Sequence, residues 1–511
     1  MRGPKLYAPY LVIAALTLAL MIPAIIARPM VHDSFWIDFV WADQFTAEIR
    51  RGTLYPRWLP QSHGGLGSPT FYFYPPIGFY IAAIFGLGGA PTYASILLAF
   101  ATALAASGAA MFHWLKDWTE RPLLGACFYM VAPYHLCDFY YRGALAEYCA
   151  FALIPLVTLG IKRCAEGRGI TLLALSYAAL IMTHLPVALL TSLLLIAPYS
   201  LLLARKAGVR ATLPRIAPAL ALGIGIAAIY LLPALNLQDY IAASKLWDAP
   251  QYHPTAWNFF DPDRWIERNG VIIMMVLTGF SAVGAIALFG MRREGWAAFA
   301  LLCCLLVSGI VPIFWALPII EKIQFPWRVL VLVEFALATA LARSRHRALF
   351  TAMAVIPLLV VAILFLLIRP QSSRLPFPLE LLVKRHPDVI EYLPPGATRE
   401  ILFLNTLSAT ASARAQPPVQ MAGDRTILRT YYFPAWRVTC NGRQAATFPD
   451  PALKLLSFQG HNCTVRWAAM RAERIGGVIT LLSLAGLAFA AAIRRRRFSS
   501  HPSRSVIFTE S

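Results

Sequence analysis

Twelve windows of apolar residues, each about long enough to cross a bilayer core of roughly 30 Å, recur along this chain of 511 residues and constrain it more than any other feature. They lie near 8–28, 93–115, 121–137, 147–163, 169–185, 186–204, 216–234, 270–290, 296–317, 328–343, 349–368 and 475–493. With 58% hydrophobic and 14% charged residues there is too little polar side chain to cover a set of soluble cores of this size. The expected class is a polytopic α-helical membrane protein of about twelve spans. In such a fold each helix satisfies its own backbone amides inside the bilayer.

The formal charge of +20 would suggest nucleic acid in a soluble chain, so the placement of the charges decides. An apolar stretch at 76–89 is only about 14 residues long and opens on Pro75-Pro76, which fits an interfacial or re-entrant helix better than a span. With that stretch left uncounted, Lys116/Arg121, Lys162/Arg163/Arg168, Arg205/Lys206/Arg210/Arg215, Arg292/Arg293 and Arg343/Arg345/Arg347 all fall on one side, together with Arg2/Lys5 and the tail Arg494–Arg497. The inner loops carry about one Lys or Arg in three residues and the outer loops about one in twelve, as the positive-inside rule requires. The reading is therefore a multi-pass protein of a cytoplasmic, inner membrane with both termini in the cytoplasm. The basic excess is a topology signal first and a hint of anionic-lipid contact second, and no nucleic-acid partner is expected. The first window is followed by Ile26-Ala27-Arg28-Pro29 without a small-residue cleavage site, so it is read as a retained span. No internal repeat is visible, which argues against an inverted-repeat transporter.

The outer loops carry the chemistry. In the first, 29–92, residues Asp33 to Arg51 place Phe35, Phe39, Val40, Phe45 and Ile49 at helical spacing, which predicts an amphipathic helix on the membrane surface. The Gly- and Pro-rich path that follows holds Arg57, and Tyr72, Phe73 and Tyr74 read as an aromatic interfacial belt. Asp33, just beyond span one, is either a partly desolvated acid held near a lipid-borne substrate or a solvated cap of the following helix. In the second outer loop Asp138, Arg142 and Glu147 sit at the mouth of two spans. They face a cavity or pair with one another, because exposing them to lipid is costly. His184 either faces the same cavity or is a hydrogen-bonded structural residue. The stretch Asn236 to Asn269 is a lid, an acceptor platform or a solvated surface. Arg328 suits a phosphate bidentately or snorkels to headgroups, and Glu334 is an ionisable residue within a span.

A span followed by an acidic residue, a surface helix, Gly52-Thr53-Leu54-Tyr55-Pro56-Arg57-Trp58, a glycine-rich turn at 64–67 and Tyr74-Pro75-Pro76 resembles the bacterial membrane family labelled 6-pyruvoyl-tetrahydropterin synthase-related. The likeness runs over 29–80 and 121–190 and returns at the C-terminus. That family in turn resembles the GT-C glycosyltransferases, integral membrane enzymes that take a sugar from a polyprenyl-phosphate carrier. The resemblance implies that Asp33 is the first-loop acid acting as general base or as substrate or metal ligand, with His32 beside it. It also implies that Asp138 or Glu147 is a second functional acid. The GT-C pattern has two adjacent acids where this chain has His32-Asp33-Ser34, which bears on metal dependence. No cofactor is required by the sequence, and a divalent metal stays open. The pterin label is not to be read literally, since the zinc-binding histidine cluster of a soluble pterin synthase cannot be assembled.

The organisation expected is a GT-C-like membrane domain over 1–368, an extracytoplasmic segment over 369–474, a last span at 475–493 and a basic tail at 494–511. From about 426 short alternating runs and the Asn441-Gly442 hairpin signal predict a small β-sandwich before the last span. It resembles the C-terminal β-domain of related polytopic families. Cys440 and Cys463, the two cysteines of this segment, are expected to form a disulfide between neighbouring strands. The leading expectation is a transferase moving sugar from a polyprenyl-phosphate donor to a glycan, lipid or protein acceptor in the cell envelope, with Arg57, Arg142 and Arg328 as candidates to receive the departing phosphate. The alternatives are a flippase of lipid-linked sugars or an inactive scaffold acting through its β-domain.

Overall fold

A computed structural model describes residues 7–26, 34–344, 346–368, 382, 384–398, 420–422 and 425–499. Every window anticipated as a span is helical. Among the described residues, seven helices are long and apolar enough to cross a membrane: Ala8–Ile26, Thr92–Leu115, Leu145–Ala165, Leu185–Ala207, Val209–Ile226, Arg268–Met291 and Arg471–Ala492. Of the other five windows, that at 349–368 lies in the 22-residue helix Arg347–Ile368, and the rest are shorter or interrupted helices, including Ile170–Thr183, Gly295–Val307 and Leu330–Arg343.

The window at 121–137 is broken into Pro122–Met130 and Pro133–Cys137. Pro133 has no N–H and pushes Ala132 into an extended conformation (φ −62°, ψ 149°), so the helix cannot run through. The amides this frees at Tyr134 and His135 are taken up by the carboxylate of Glu334.

Thr92–Leu115 packs on Leu145–Ala165, which packs on Ile170–Thr183, which packs on Val209–Ile226. Leu330–Arg343 is buried over all its residues but the last, as a central helix without a polar face must be. Leu11, Leu18 and Ile22 on the first helix, and Val276, Val283 and Ile286 on Arg268–Arg292, are exposed apolar side chains that suit lipid.

The first outer loop departs from expectation. Helix Phe35–Arg50 does not have the open polar face of an amphipathic surface helix: ten of its residues are buried, against Ile77–Leu87 and neighbouring segments. Tyr72 is not in an interfacial belt either. It is fully buried, and its hydroxyl donates to Glu473 Oε1 at 2.8 Å. Both corrections have one cause: the segment at 384–398 and the β-domain cover surfaces that the local sequence leaves open. Trp41 Nε1 donates to Asp388 Oδ1 at 2.9 Å, and Tyr392 stacks on Phe73 with ring centroids 5.9 Å apart.

The β-domain comprises β1 (Gln420–Ala422), β2 (Arg425–Tyr431), β3 (Trp436–Cys440), β4 (Arg443–Ala445), β5 (Thr447–Pro449), β6 (Leu455–Gln459) and β7 (Cys463–Trp467). They form two antiparallel sheets, ordered β1-β2-β6-β5 and β4-β3-β7. The run from Arg443 to Pro449 is split at Ala446 between the two sheets. Asn441 and Gly442 both have positive φ, as the tight β3–β4 hairpin requires. Cys440 and Cys463 face one another in the β3–β7 register and are disulfide-bonded. Trp58 of the first outer loop inserts between Phe433, Trp436 and Trp467 and holds this domain against the bundle. Gly67 is needed beneath it: φ is +85°, and a Cβ there would lie 2.1 Å from the Trp58 ring.

Candidate functional site

Breaking the window at 121–137 brings a charged group into the interior. After Pro133–Cys137 the chain makes a π-helical turn, Asp138–Arg142, which is closed by Gly143 at φ 61° before Leu145–Ala165 begins. A Cβ on Gly143 would sit 2.7 Å from Cβ of Phe35, so the turn lies directly on the start of the first-loop helix. π-turns re-aim side chains, and this one points Asp138 and Arg142 inward, where both are buried.

Arg142 Nη1 faces Asp138 Oδ1 at 2.7 Å, Glu147 Oε2 at 2.8 Å and the Tyr134 hydroxyl at 3.0 Å. Tyr134 in turn donates to Glu147 Oε1 at 2.5 Å. Arg328 joins through Nε, 3.5 Å from Glu147 Oε2, and Nη1 donates to the Ile323 carbonyl at 2.5 Å. Arg328 is 9% exposed, and its Nε makes no hydrogen bond among the described residues. A buried N–H left without a formed hydrogen bond costs about 1–3 kcal/mol unless a closer acceptor arrives. His184 caps the next helix, its Nδ1 accepting from Val187 N at 3.3 Å, and it lies within the fields of Arg328, Glu147 and Arg142. Thus Asp138, Arg142, Glu147, His184 and Arg328, spread over some two hundred residues of chain, form one buried group.

The group has aromatic and acidic walls. Trp327 stacks on Phe325 at 4.3 Å, meets Trp257 of the 236–269 segment edge-on at 4.1 Å, and lies 5.6 Å from the Arg142 guanidinium. Trp257 therefore makes the 236–269 stretch a cover over this wall. Asp38 is fully buried and accepts from Leu145 N at 3.0 Å, capping the helix that carries Glu147. Tyr74 feels the charges of Asp38, Arg328, Glu147 and Arg142. Burial first, then Asp38, pushes its phenol well above the usual range, with Arg328 pulling the other way, so it stays a hydrogen-bond donor.

His32 and Asp33 lie outside the described residues. Ser34 is described, and donates its N–H to the Arg142 carbonyl at 3.0 Å, which ties the start of the first-loop helix to the π-turn. Arg57 is elsewhere. Its Nε pairs with Glu473 Oε2 at 3.1 Å, Nη2 donates to the Ile229 carbonyl at 2.7 Å, and its guanidinium covers the Tyr55 ring at 3.9 Å. It clamps the first loop to the last helix and cannot also serve the Arg142 group. Glu334, with both oxygens accepting backbone amides, is a cap across the Pro133 break. Among the described residues no group of three or more His, Cys, Asp or Glu side chains is placed to hold a metal ion.

Three participants escaped the sequence reading: Asp38, Tyr134 and Trp327. Asp38 had a signal. It sits three residues after Phe35 and one before Phe39, on the apolar stripe of its helix, where a carboxylate is out of place unless it has a buried partner.

The sequence model of a family described as 6-pyruvoyl-tetrahydropterin synthase related domain, membrane protein, matches residues 71–373. No curated protein matches the chain. Among solved structures the chain is similar to the arabinofuranosyltransferase AftD from Mycobacteria, with 18% identity and a TM-score of 0.42 over 71% of this chain and 27% of that one. It is also similar to ArnT from Cupriavidus metallidurans bound to undecaprenyl phosphate, with 13% identity and a TM-score of 0.41 over 78% of this chain and 71% of that one. The chain thus spans about a quarter of the AftD length.

Proposed function

The chain belongs to the 6-pyruvoyl-tetrahydropterin synthase related family of membrane proteins, and we propose that it is a membrane glycosyltransferase, moving a sugar from a polyprenyl-phosphate donor to an acceptor hydroxyl on the outer side of a bacterial inner membrane. The observation that carries this reading is the buried arginine–carboxylate group of Arg142, Arg328, Asp138 and Glu147, with Ser34 bonded to the Arg142 carbonyl. The first-loop motif, in its resemblance to the GT-C pattern, supports it.

In this reading the acceptor oxygen attacks the anomeric carbon of the donor while the bond from that carbon to the phosphate oxygen breaks. The electron pair leaves with the polyprenyl phosphate, and Asp33 takes the proton of the acceptor hydroxyl. Arg328, whose Nε has no hydrogen bond among the described residues, meets the new phosphate charge; a guanidinium does this bidentately. Arg142 is already committed to Asp138 and Glu147, so its part is to hold the site's shape. Trp327, under its Trp257 cover, supplies an apolar surface for the lipid or the sugar face. No step is assigned to a metal.

Purified protein with a polyprenyl-phosphate sugar and total envelope acceptors tests this. Asp33→Asn is expected to reduce transfer by about 10²- to 10⁴-fold with abundance and melting temperature unchanged. Full transfer by that variant sinks the proposal. The same buried charges would also suit translocation of lipid-linked sugars; movement of the donor across vesicles lacking any acceptor, unchanged in Asp33→Asn, would favour that second reading.

A further inference from the structure

A second cleft lies at the opposite end of Leu330–Arg343 from Arg328, some 20 Å along the helix axis at 1.5 Å per residue. Its volume is about 550 Å³, and it opens between the helices Pro122–Met130, Leu330–Arg343 and Arg347–Ile368. This is the end of the bundle that carries the basic loops: Trp118 there is approached by both Lys162, at 4.9 Å, and Arg343, at 5.2 Å.

The lining combines the basic Arg121, His346 and Arg347 with the apolar Leu124, Phe350 and Val355, and no Asp or Glu contributes among the described residues. Arg343 nearby pairs with Glu294 at 3.3 Å, whereas neither Arg121 nor Arg347 forms an ion pair among the described residues. Two helices begin at the same place, Pro122–Met130 and Arg347–Ile368. Their unsatisfied first amides and the positive ends of their dipoles therefore add to the arginine charge. Leu124 and Val355 remain 41% and 42% exposed, which is costly unless hydrocarbon covers them.

We propose that this cleft binds one anionic phospholipid of the leaflet on the basic-loop side, its phosphate held by Arg121 and Arg347 and an acyl chain laid along Leu124, Phe350 and Val355. Charge complementarity selects a phosphate, since nothing acidic competes for the two guanidiniums. The apolar wall selects a lipid over a free ion, because inorganic phosphate would leave it uncovered. A basic pocket between transmembrane helices on the positively charged side is where such headgroups are recognised. This inference does not depend on the glycosyltransferase reading.

Native mass spectrometry of the full chain in detergent, titrated with phosphatidylglycerol, phosphatidylcholine of the same acyl chains, or inorganic phosphate, tests it. Wild-type protein is expected to prefer phosphatidylglycerol. R121A/R347A should weaken that lipid by about thirtyfold while phosphatidylcholine is unaffected. R168A/R210A, on other basic loops, should bind as wild type. Should R121A/R347A melt early, Val355→Trp, which fills the apolar wall and spares both arginines, is expected to exclude the lipid instead. Equal binding of the two lipids by wild type, retention of phosphatidylglycerol by R121A/R347A or by a stable Val355→Trp, or equal stabilisation by inorganic phosphate each overturns the proposal.

Discussion

Arg142 touches two carboxylates and a phenol from one nitrogen, so its removal exposes the cost of burying charge more than any other substitution in the molecule. With Ala at 142, Asp138 and Glu147 both lose that partner, and of the two cations only Arg328 remains, 3.5 Å from Glu147 Oε2. The expected loss is about 3–5 kcal/mol, read as a lower melting temperature in detergent. Arg328→Lys should behave differently. It keeps the charge near Glu147 but loses the planar fork, so folding should be retained while the apparent KM for lipid-linked donor rises by about tenfold. An Arg328→Lys variant with unaltered donor kinetics would remove Arg328 from the phosphate binding proposed for it. Much of this group was legible, because Asp138, Arg142, Glu147, His184 and Arg328 are polar residues in places where polarity is expensive. Arg57 met the same criterion and proved to be a clamp, since its partner Glu473 lies some four hundred residues away and nothing local announces it. Asp38 was hidden by its neighbours, which made its helix read as a membrane-surface element.

Among the elements, the segment around 386–398 has the clearest dependence on pH. Burial, reinforced by Asp388, pushes the Glu391 carboxyl up to about 7, so its neutral form is the one that fits. A raised folded value means a contribution present below the unfolded value, near 4.5, and lost as pH rises through about 7. Glu391→Gln is therefore expected to stabilise the protein by about 1–3 kcal/mol at pH 8 and to make little difference at pH 4.5, measured by thermal unfolding at the two pH values. Asp43 acts in the opposite direction. The His386 imidazole first, 3.7 Å away, and the Thr92 hydroxyl, which donates to it at 2.6 Å, hold its carboxyl below 3.8, so its contribution fades only on strong acidification. At the other contact with the first loop, Gly67→Ala drives a Cβ into Trp58, and should loosen the β-domain by about 1–3 kcal/mol with faster tryptic release of that domain. Hairpin and strand signals were readable because they are local. The break at Pro133 was also written in the sequence, yet its repair by Glu334 was not, for that requires knowing which helix stands opposite.

On the scale of the whole molecule, the spacing of apolar windows and the one-sided basic loops carried most of the architecture. Helices shorter than a bilayer, such as Leu330–Arg343, were still identifiable because burial among other helices demands the same apolar composition as burial in lipid. Orientation is open to direct measurement. A fluorescent protein fused after Ser511 is expected to be bright and an alkaline phosphatase fused there inactive, with the reverse pattern for fusions inside the β3–β4 hairpin; the opposite result would invert the topology.

The threading of the 384–398 segment against the first loop also sets a timetable. Trp41 waits for Asp388, 347 residues later, and Tyr72 for Glu473, 401 residues later. At ordinary ribosomal speeds, about 5–20 residues per second, the aromatic shelf around Trp41, Phe73 and Tyr72 stays uncovered for about 20–70 s or more of synthesis. A nascent chain of this protein therefore displays a sticky, half-built outer surface until its last fifth has emerged, and premature stop codons anywhere before that point should yield products that quality-control proteases recognise at once.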